Sequence, residues 1–149
     1  MSKYIQGPYR VKNREKYAGN PNNVMSRSSW EYKFFYYLDH NPNIIKWNSE
    51  ETVIPYKSPL DGKYHRYFVD ATVQVRDAQG TINTYLVEVK PYAERFPPKK
   101  PQRLTEAYKK KVGTYLVNQA KWEAATEFAN KNGIKFIIIT EKDLFGKAK

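Results

Sequence analysis

The sequence predicts a single α/β domain in which helices pack against a central mixed β-sheet. Apolar residues recur at helical spacing in two segments of the 149-residue chain. Between and after these segments lie short β-branched and aromatic runs bounded by turn-forming residues. This order of helix, strands, helix and strand is typical of helices that cover a sheet. We expect a basic N-terminal arm over residues 1–25, the domain over residues 26–145 and a short tail over residues 146–149.

The arm and the first helix are predicted from local signals. The arm is rich in Lys, Arg, Asn, Tyr, Gly and Pro and has no apolar periodicity. Ser28 and Glu31 have the spacing of a capping box, which predicts a helix start. Asn41 and Pro42 predict the end of that helix about three turns later.

The remaining elements follow in order along the chain. Residues 51–90 predict a β-meander, because short extended runs alternate with the turn signals PLDG and RDAQG. The stretch FPPKKPQR holds too many prolines for a helix or a central strand and is expected to be a loop. A long helix is predicted from Leu104 to Asn132, and the apolar run IKFIIIT then predicts a buried strand.

The charge balance favours nucleic acid as a partner. The net charge is +11 and the sequence pI is near 9.7, so the chain attracts polyanions. The mean hydropathy of −0.81 excludes a membrane-embedded class, and no apolar helix face lies beside a lysine cluster that would favour a membrane surface. The absence of cysteine excludes disulfides and thiolate chemistry. The N-terminus lacks the apolar run of a signal peptide, so we expect a protein that is not secreted.

Two acidic residues and one lysine lie where apolar residues would be buried more easily. In a hairpin centred on Gln79, Asp70 and Glu88 face each other, and two such carboxylates repel unless a cation or a proton lies between them. Mg²⁺ or Mn²⁺ suits this pair because hard cations prefer oxygen ligands. Lys90 lies on the same face of the strand as Glu88 and can stabilise negative charge on a phosphate. The set therefore predicts metal-dependent phosphodiester hydrolysis.

A surface salt-bridge cluster is the alternative interpretation of these three residues, and the spacing alone is a weak motif. The context favours function, because Leu86, Val87 and Val89 make the strand apolar on both faces. Charged residues in a strand that is covered on both faces are costly, and they are more often retained for chemistry.

The quoted motifs also resemble a known group of nucleases. FVD followed by VEVK resembles the PD-(D/E)xK nuclease superfamily, whose core is a mixed sheet flanked by helices. With RSSWE, IPY, HRYFVD, YLVEVKP, LVNQAKW and IIITEK in this order, the sequence looks like the head completion nucleases of tailed phages and, more distantly, the nuclease subunit of a cut-and-paste bacterial transposase. The resemblance covers residues 24–143 and implies a restriction-endonuclease-like core. The sequence departs from the superfamily motif at Val69, where the superfamily often has a proline. That proline mainly restricts the backbone.

The resemblance implies a role for each matching residue. Asp70 and Glu88 are the implied ligands of Mg²⁺ or Mn²⁺, the carbonyl of Val89 is a further ligand, and Lys90 is the catalytic lysine. Glu31 matches the helical glutamate that completes the acidic site in such nucleases. Capping of the first helix explains Glu31 equally well, and one glutamate does not readily serve both roles.

The implied function is a metal-dependent DNA endonuclease that acts on packaged or protruding DNA during phage head completion. Its partners are then DNA and phage head or portal proteins, its location is the host cytoplasm or the virion head, and it needs no cofactor other than the metal. Two alternatives stay open: a noncatalytic virion or portal protein that binds DNA ends on a nuclease scaffold, and a junction-resolving or repair nuclease with the same chemistry.

Further polar residues are candidates for DNA contact. In the proline-rich loop and the helix after it, they are Lys99, Lys100, Arg103, Lys109, Lys110 and Lys111. Solvated charge explains that run about equally well. His65 and Arg66 can bind phosphate, although a solvent-exposed strand end explains them slightly better. Gln119 can reach the site from the long helix, although a polar residue on the solvent face of a helix is the commoner explanation.

Overall fold

The computed structural model describes residues 6–146, with side chains as far as Leu144. The helices are α1 (Ser29–His40) and α2 (Glu106–Lys131), and the strands are β1 (Gly7–Pro8), β2 (Met25–Ser26), β3 (Ile44–Asn48), β4 (Val53–Lys57), β5 (Tyr64–Phe68), β6 (Ala71–Arg76), β7 (Ile82–Val89) and β8 (Lys135–Ile139). Short helical turns lie at Arg14–Lys16, Tyr92–Arg95 and Lys142–Gly146. Both predicted helices are confirmed, with Ser28 and Thr105 as their N-caps.

The central sheet has the strand order β3-β6-β7-β8. The first three strands are antiparallel, and β8 lies parallel to β7, so the predicted mixed α/β architecture is confirmed. The expected meander is only partly correct, because β4 and β5 pair with each other in a separate ribbon. Between β5 and β6 the chain bends at Asp70, which separates the ribbon from the sheet.

The register of the β6–β7 hairpin matches the register expected from a turn centred on Gln79. Ala71 lies opposite Val87 and Arg76 lies opposite Ile82. Asp70 comes one residue before the first of these pairs, so Asp70 and Glu88 lie where the two strands separate.

Two apolar layers cover the two faces of the sheet. One is formed with α1 and contains Phe35, Leu38 and Trp47, and the other is formed with α2 and contains Trp122 and Ala125. Successive residues of β7 point alternately into these layers, which explains why the strand is apolar on both faces. Among residues 6–146, no helix is both long enough and apolar enough to cross a membrane.

The N-terminal segment differs from the expected arm. Tyr9, Val11, Tyr17 and Val24 are buried in the layer beneath α1. Tyr9 and Tyr17 place their ring edges against Trp47, with centroids 6.0 and 4.9 Å away. The segment is therefore part of the core from residue 7 onward. Residues 1–5 of the predicted arm and residues 147–149 of the predicted tail lie outside the described range.

Asp39 fastens this segment to the end of α1. Its fully buried carboxylate accepts hydrogen bonds from the Tyr9 hydroxyl at 2.9 Å and from the amides of Lys12 and Asn13 at 2.7 and 3.0 Å. Burial alone would raise the pKa of Asp39, but these hydrogen bonds lower it below the ordinary value of 3.8. The anionic form of Asp39 therefore stabilises the folded chain.

We expect Asp39→Asn to lower the free energy of unfolding by about 2–3 kcal/mol at neutral pH, because amide groups then lose a charged acceptor. The pKa of Asp39 is lower in the folded chain than in the unfolded chain. Its contribution to the free energy of unfolding is therefore present above the unfolded-state pKa and is lost as the pH falls through the folded-state pKa. Urea unfolding at several pH values should show the variant approaching wild type in acid. Glu127→Gln on the exposed face of α2 is the control, and an equal loss there would contradict the assignment.

Candidate active site

The acidic residues meet at the point where β6 and β7 separate. Asp70 occupies the bend before β6, and its Oδ2 accepts a hydrogen bond from the Val89 amide at 2.8 Å. Glu88 is the penultimate residue of β7 and is buried. On the opposite edge of β7, the amide of Lys90 donates to Ile139 of β8, which fixes the strand end in the sheet. The hairpin register and the parallel strand together determine where the two carboxylates lie.

Lys90 lies beside the carboxylates, as the alternation along the strand predicts. Its Nζ is 3.3 Å from Oε2 of Glu88, and only 23% of its side chain is exposed. Burial alone would lower the pKa of Lys90, but the charges of Glu88 and Asp70 raise it above its ordinary value. The charges of the two carboxylates therefore favour the cationic form of Lys90.

The carboxylates are close enough to oppose one another's ionisation. Burial, followed by the charges of Glu88 and Glu31, raises the pKa of Asp70 well above its ordinary value. The hydrogen bond from Val89 and the charge of Lys90 oppose this shift without cancelling it. Three carboxyl groups thus lie near a single close ammonium group, which favours either a retained proton or a bound cation.

Glu31 lies at the N-terminal end of α1 and faces the same site. Its amide donates to the Ser28 hydroxyl at 3.2 Å, and its Oε1 accepts from the Arg27 amide at 2.9 Å, one residue before the N-cap. Burial, with contributions from the charges of Glu50 and Glu88, raises the pKa of Glu31. Of the predicted capping box only the Ser28 half is formed, because the Glu31 side chain binds the residue before the N-cap and not the Ser28 amide. One Glu31 oxygen thus supports the helix start, while the charge of the carboxylate acts on Asp70.

Tyr67 is a site residue that the sequence interpretation missed. Its hydroxyl donates to Oε1 of Glu88 at 2.5 Å. Burial and the charge of Glu88 raise the pKa of Tyr67, so the hydroxyl keeps its proton. Tyr67 is buried while Arg66 and Phe68 beside it are exposed, but the apolar run from Tyr67 to Val69 shows no such alternation in the sequence, so no local signal singled out Tyr67. Lys121 of α2 lies 5.5 Å from the centroid of the Tyr67 ring.

The donor atoms suit a hard divalent cation. Within residues 6–146 no three His, Cys, Asp or Glu side chains are placed to hold one metal ion together, so Asp70 and Glu88 would need another donor. The Val89 carbonyl is suitable, because the N–H and C=O of one strand residue point to the same side and the Val89 N–H points to Asp70. Two carboxylates, a carbonyl and water form an oxygen set that fits Mg²⁺ or Mn²⁺.

The other predicted residues make no hydrogen bond or ion pair with the acidic cluster in the described part of the chain. Lys99, Lys100, Arg103, Lys109, Lys110 and Lys111 are all exposed around the start of α2. His65 contacts the Asp61 carboxylate at 2.9 Å, and Arg66 lies over the Phe68 ring at 5.3 Å, so both make local contacts on the β5 ribbon. Gln119 lines a cavity of about 650 Å³ with Arg95 and Trp122, between α2 and β8, and makes no hydrogen bond to the acidic residues in the described part of the chain.

Two comparisons with known proteins agree with this geometry. Residues 41–141 match the model of the N-terminal domain of TnsA-like endonucleases, a range that includes Asp70, Glu88 and Lys90. The chain is also 45% identical over 142 residues to the head completion nuclease of Enterobacteria phage T4, with 93% of this chain and 92% of that protein covered.

We expect Asp70→Asn to raise the melting temperature in chelator at neutral pH. Because the folded pKa of Asp70 is raised, its stabilising contribution is present below the unfolded pKa and is lost as the pH rises through the folded pKa. Asparagine keeps an acceptor for Val89 and removes the repulsion, so each 1 kcal/mol relieved should add about 2–8 °C. Thermal unfolding is the measurement, with Asp77→Asn in the exposed hairpin turn as the control. A lower melting temperature for Asp70→Asn would contradict the repulsion argument.

Proposed function

The chain is a nuclease that belongs to the TnsA-like endonuclease family, and from this premise we propose that it is a metal-dependent deoxyribonuclease that cuts DNA during phage head completion. The observation that carries the proposal is the cluster of Asp70, Glu88 and Lys90 at the open end of the hairpin. A buried excess of negative charge beside a cation is the arrangement that metal-assisted phosphodiester hydrolysis requires.

Asp70, Glu88 and the Val89 carbonyl would hold Mg²⁺ or Mn²⁺. When bound, the cation supplies a Lewis acid for the phosphoryl oxygen and lowers the pKa of water. Tyr67 restricts the orientation of Glu88 through its hydrogen bond, because the hydroxyl holds one carboxylate oxygen while the other faces Lys90. The chain thus fixes the direction of its ligands before the cation arrives.

Lys90 would act on the phosphate itself. Its ammonium group is protonated and partly buried, so it can donate hydrogen bonds to phosphate oxygens as they gain negative charge in the transition state. Before substrate binds, Glu88 holds the Lys90 ammonium at 3.3 Å and so restricts its position. The negative charge of Glu31 acts on Asp70 and would support cation binding.

Exposed lysines and the net charge of +11 support DNA as the substrate. The name of the phage T4 relative supports a role in head completion, which would bring the chain to phage head or portal proteins in the host cytoplasm or the virion head. A panel of linear duplex, overhang, flap and four-way-junction DNAs tests this role. Binding without cleavage would favour the noncatalytic alternative, and cleavage confined to junctions would favour a resolving nuclease.

Cleavage should require a divalent cation and the acidic cluster. We expect product with Mg²⁺ or Mn²⁺ and none in chelator, and we expect Asp70→Asn and Lys90→Gln each to slow cleavage by at least ~100-fold. Single-turnover assays on labelled linear DNA are the measurement, and Lys131→Gln, at the exposed end of α2, is the lysine control. Undiminished cleavage in chelator would contradict the proposal.

Glu31→Gln separates capping from catalysis. Glutamine still accepts the hydrogen bond from the Arg27 amide, so the cap and the melting temperature should be nearly preserved. The lost charge should slow cleavage by ~10–100-fold at limiting Mg²⁺, the scale of losing a residue that supports a metal site. The measurements are the cleavage rate of the variant at several Mg²⁺ concentrations and its thermal unfolding. Together they separate a loss of catalysis from a loss of stability. Wild-type cleavage with a lowered melting temperature would leave support of the helix start as the sole role of Glu31.

A further inference from the structure

An arginine and a glutamate form a paired contact at the rim of the acidic site. Nε of Arg27 is 2.7 Å from Oε2 of Glu50, and Nη2 of Arg27 is 2.9 Å from Oε1, so both carboxylate oxygens are used. Arg27 also supplies the backbone amide that binds Glu31. Half of the Arg27 side chain is exposed, so a ligand from solvent can reach the guanidinium.

Glu50 has an unusual backbone conformation. Its φ of 57° makes it the one non-glycine residue with positive φ among residues 6–146. Glutamate rarely adopts this left-handed region, and such strain persists where the surrounding structure enforces it, often at functional sites. The Glu50 amide donates to the Val69 carbonyl at 3.1 Å, next to Asp70. The strained residue is thus attached to the chain segment that carries the acidic site.

The pair is electrically part of that site. The charges of Glu31 and Asp70 both act on the Arg27 guanidinium, and the charge of Glu50 acts on Glu31. The backbone contacts agree with this coupling, because the Arg27 amide binds Glu31 at 2.9 Å and the Glu50 amide binds the Val69 carbonyl, next to Asp70, at 3.1 Å. These contacts place Arg27 beside the DNA segment that would reach Asp70.

The guanidinium keeps a free edge. Of its five N–H groups, Glu50 takes one at Nε and one at Nη2. Nη1 has no hydrogen-bond partner in the part of the chain that the structure describes. One N–H of Nη1 and the second N–H of Nη2 therefore form a second pair of parallel donors at the end of the guanidinium. Forked N–H pairs match the geometry of two phosphate oxygens.

We propose that Arg27 binds a DNA backbone phosphate next to the one that is cut, and that Glu50 is a positioning residue that orients the Arg27 fork toward it. This inference rests on the proposed nuclease function. The strained backbone places the Glu50 carboxylate where it holds Nε and Nη2, so Nη1 and Nη2 face the substrate side with little freedom left to lose on binding.

A simple surface ion pair would tie the loop before β4 to the start of α1 and do nothing else. Exposed pairs of that kind contribute little stability, which gives no reason for a strained glutamate. The two interpretations differ for variants that preserve or raise the positive charge. Under long-range electrostatics alone, Arg27→Lys leaves DNA binding unchanged and Glu50→Gln strengthens it. Under the positioning proposal, both variants weaken it.

The test compares Arg27→Lys and Glu50→Gln with matched controls. Arg14→Lys changes an exposed arginine in the same way, and Glu51→Gln removes a neighbouring exposed carboxylate with the same change in net charge. Anisotropy of labelled duplex DNA in chelator gives the affinity, single-turnover cleavage in Mg²⁺ gives the rate, and thermal unfolding gives the stability.

We expect Arg27→Lys and Glu50→Gln to bind DNA about tenfold more weakly than wild type, on the scale of losing a forked contact to phosphate. Both should unfold at nearly the wild-type temperature, and both controls should bind as well as wild type or slightly better. If wild type binds and cuts DNA while Arg27→Lys and Glu50→Gln behave like their controls, the inference is overturned and the nuclease proposal stands. If wild type neither binds nor cuts DNA, the proposed function itself fails, and this inference fails with it.

Discussion

The mutual repulsion of carboxylates at the open end of the β6–β7 hairpin is the constraint on which the rest of the structure depends. Asp70 and Glu88 stay together because the hairpin register fixes their backbones and the Val89 amide and Tyr67 hydroxyl hold their side chains. Helix α1 brings Glu31 to the same place, and β8 secures the end of β7. Each contact opposes a repulsion that would otherwise separate the acids, so the chain gives up stability at the place where we propose that a cation binds.

The parts of this arrangement that obey a short-range rule were predictable from the sequence. The alternation of side chains along β7 placed Lys90 beside Glu88, and the turn centred on Gln79 gave the observed register. The N-terminal segment was misjudged because its buried residues follow no period. They are held by contacts with Trp47 and by the buried carboxylate of Asp39, and such partners are distant in sequence.

The remaining site features depend on tertiary contacts that no local pattern reveals. Tyr67 reaches Glu88 across a separate ribbon, and Arg27 reaches Glu50 across the start of α1. The two roles of Glu31 looked incompatible in the sequence because a cap and a site seemed to need the whole side chain. In the structure Ser28 caps the helix and one Glu31 oxygen binds the residue before it, so the Glu31 carboxylate connects the helix start to the acidic site.

The most direct test of the account is anomalous diffraction from crystals of this protein soaked in Mn²⁺. The account predicts a peak about 2.0–2.3 Å from carboxylate oxygens of both Asp70 and Glu88, on the side of the Val89 carbonyl, and no peak there in crystals of Asp70→Asn. A Mn²⁺ site elsewhere, or an ordered acidic cluster that stays without metal at saturating Mn²⁺, would contradict the claim that the repulsion is retained for cation binding.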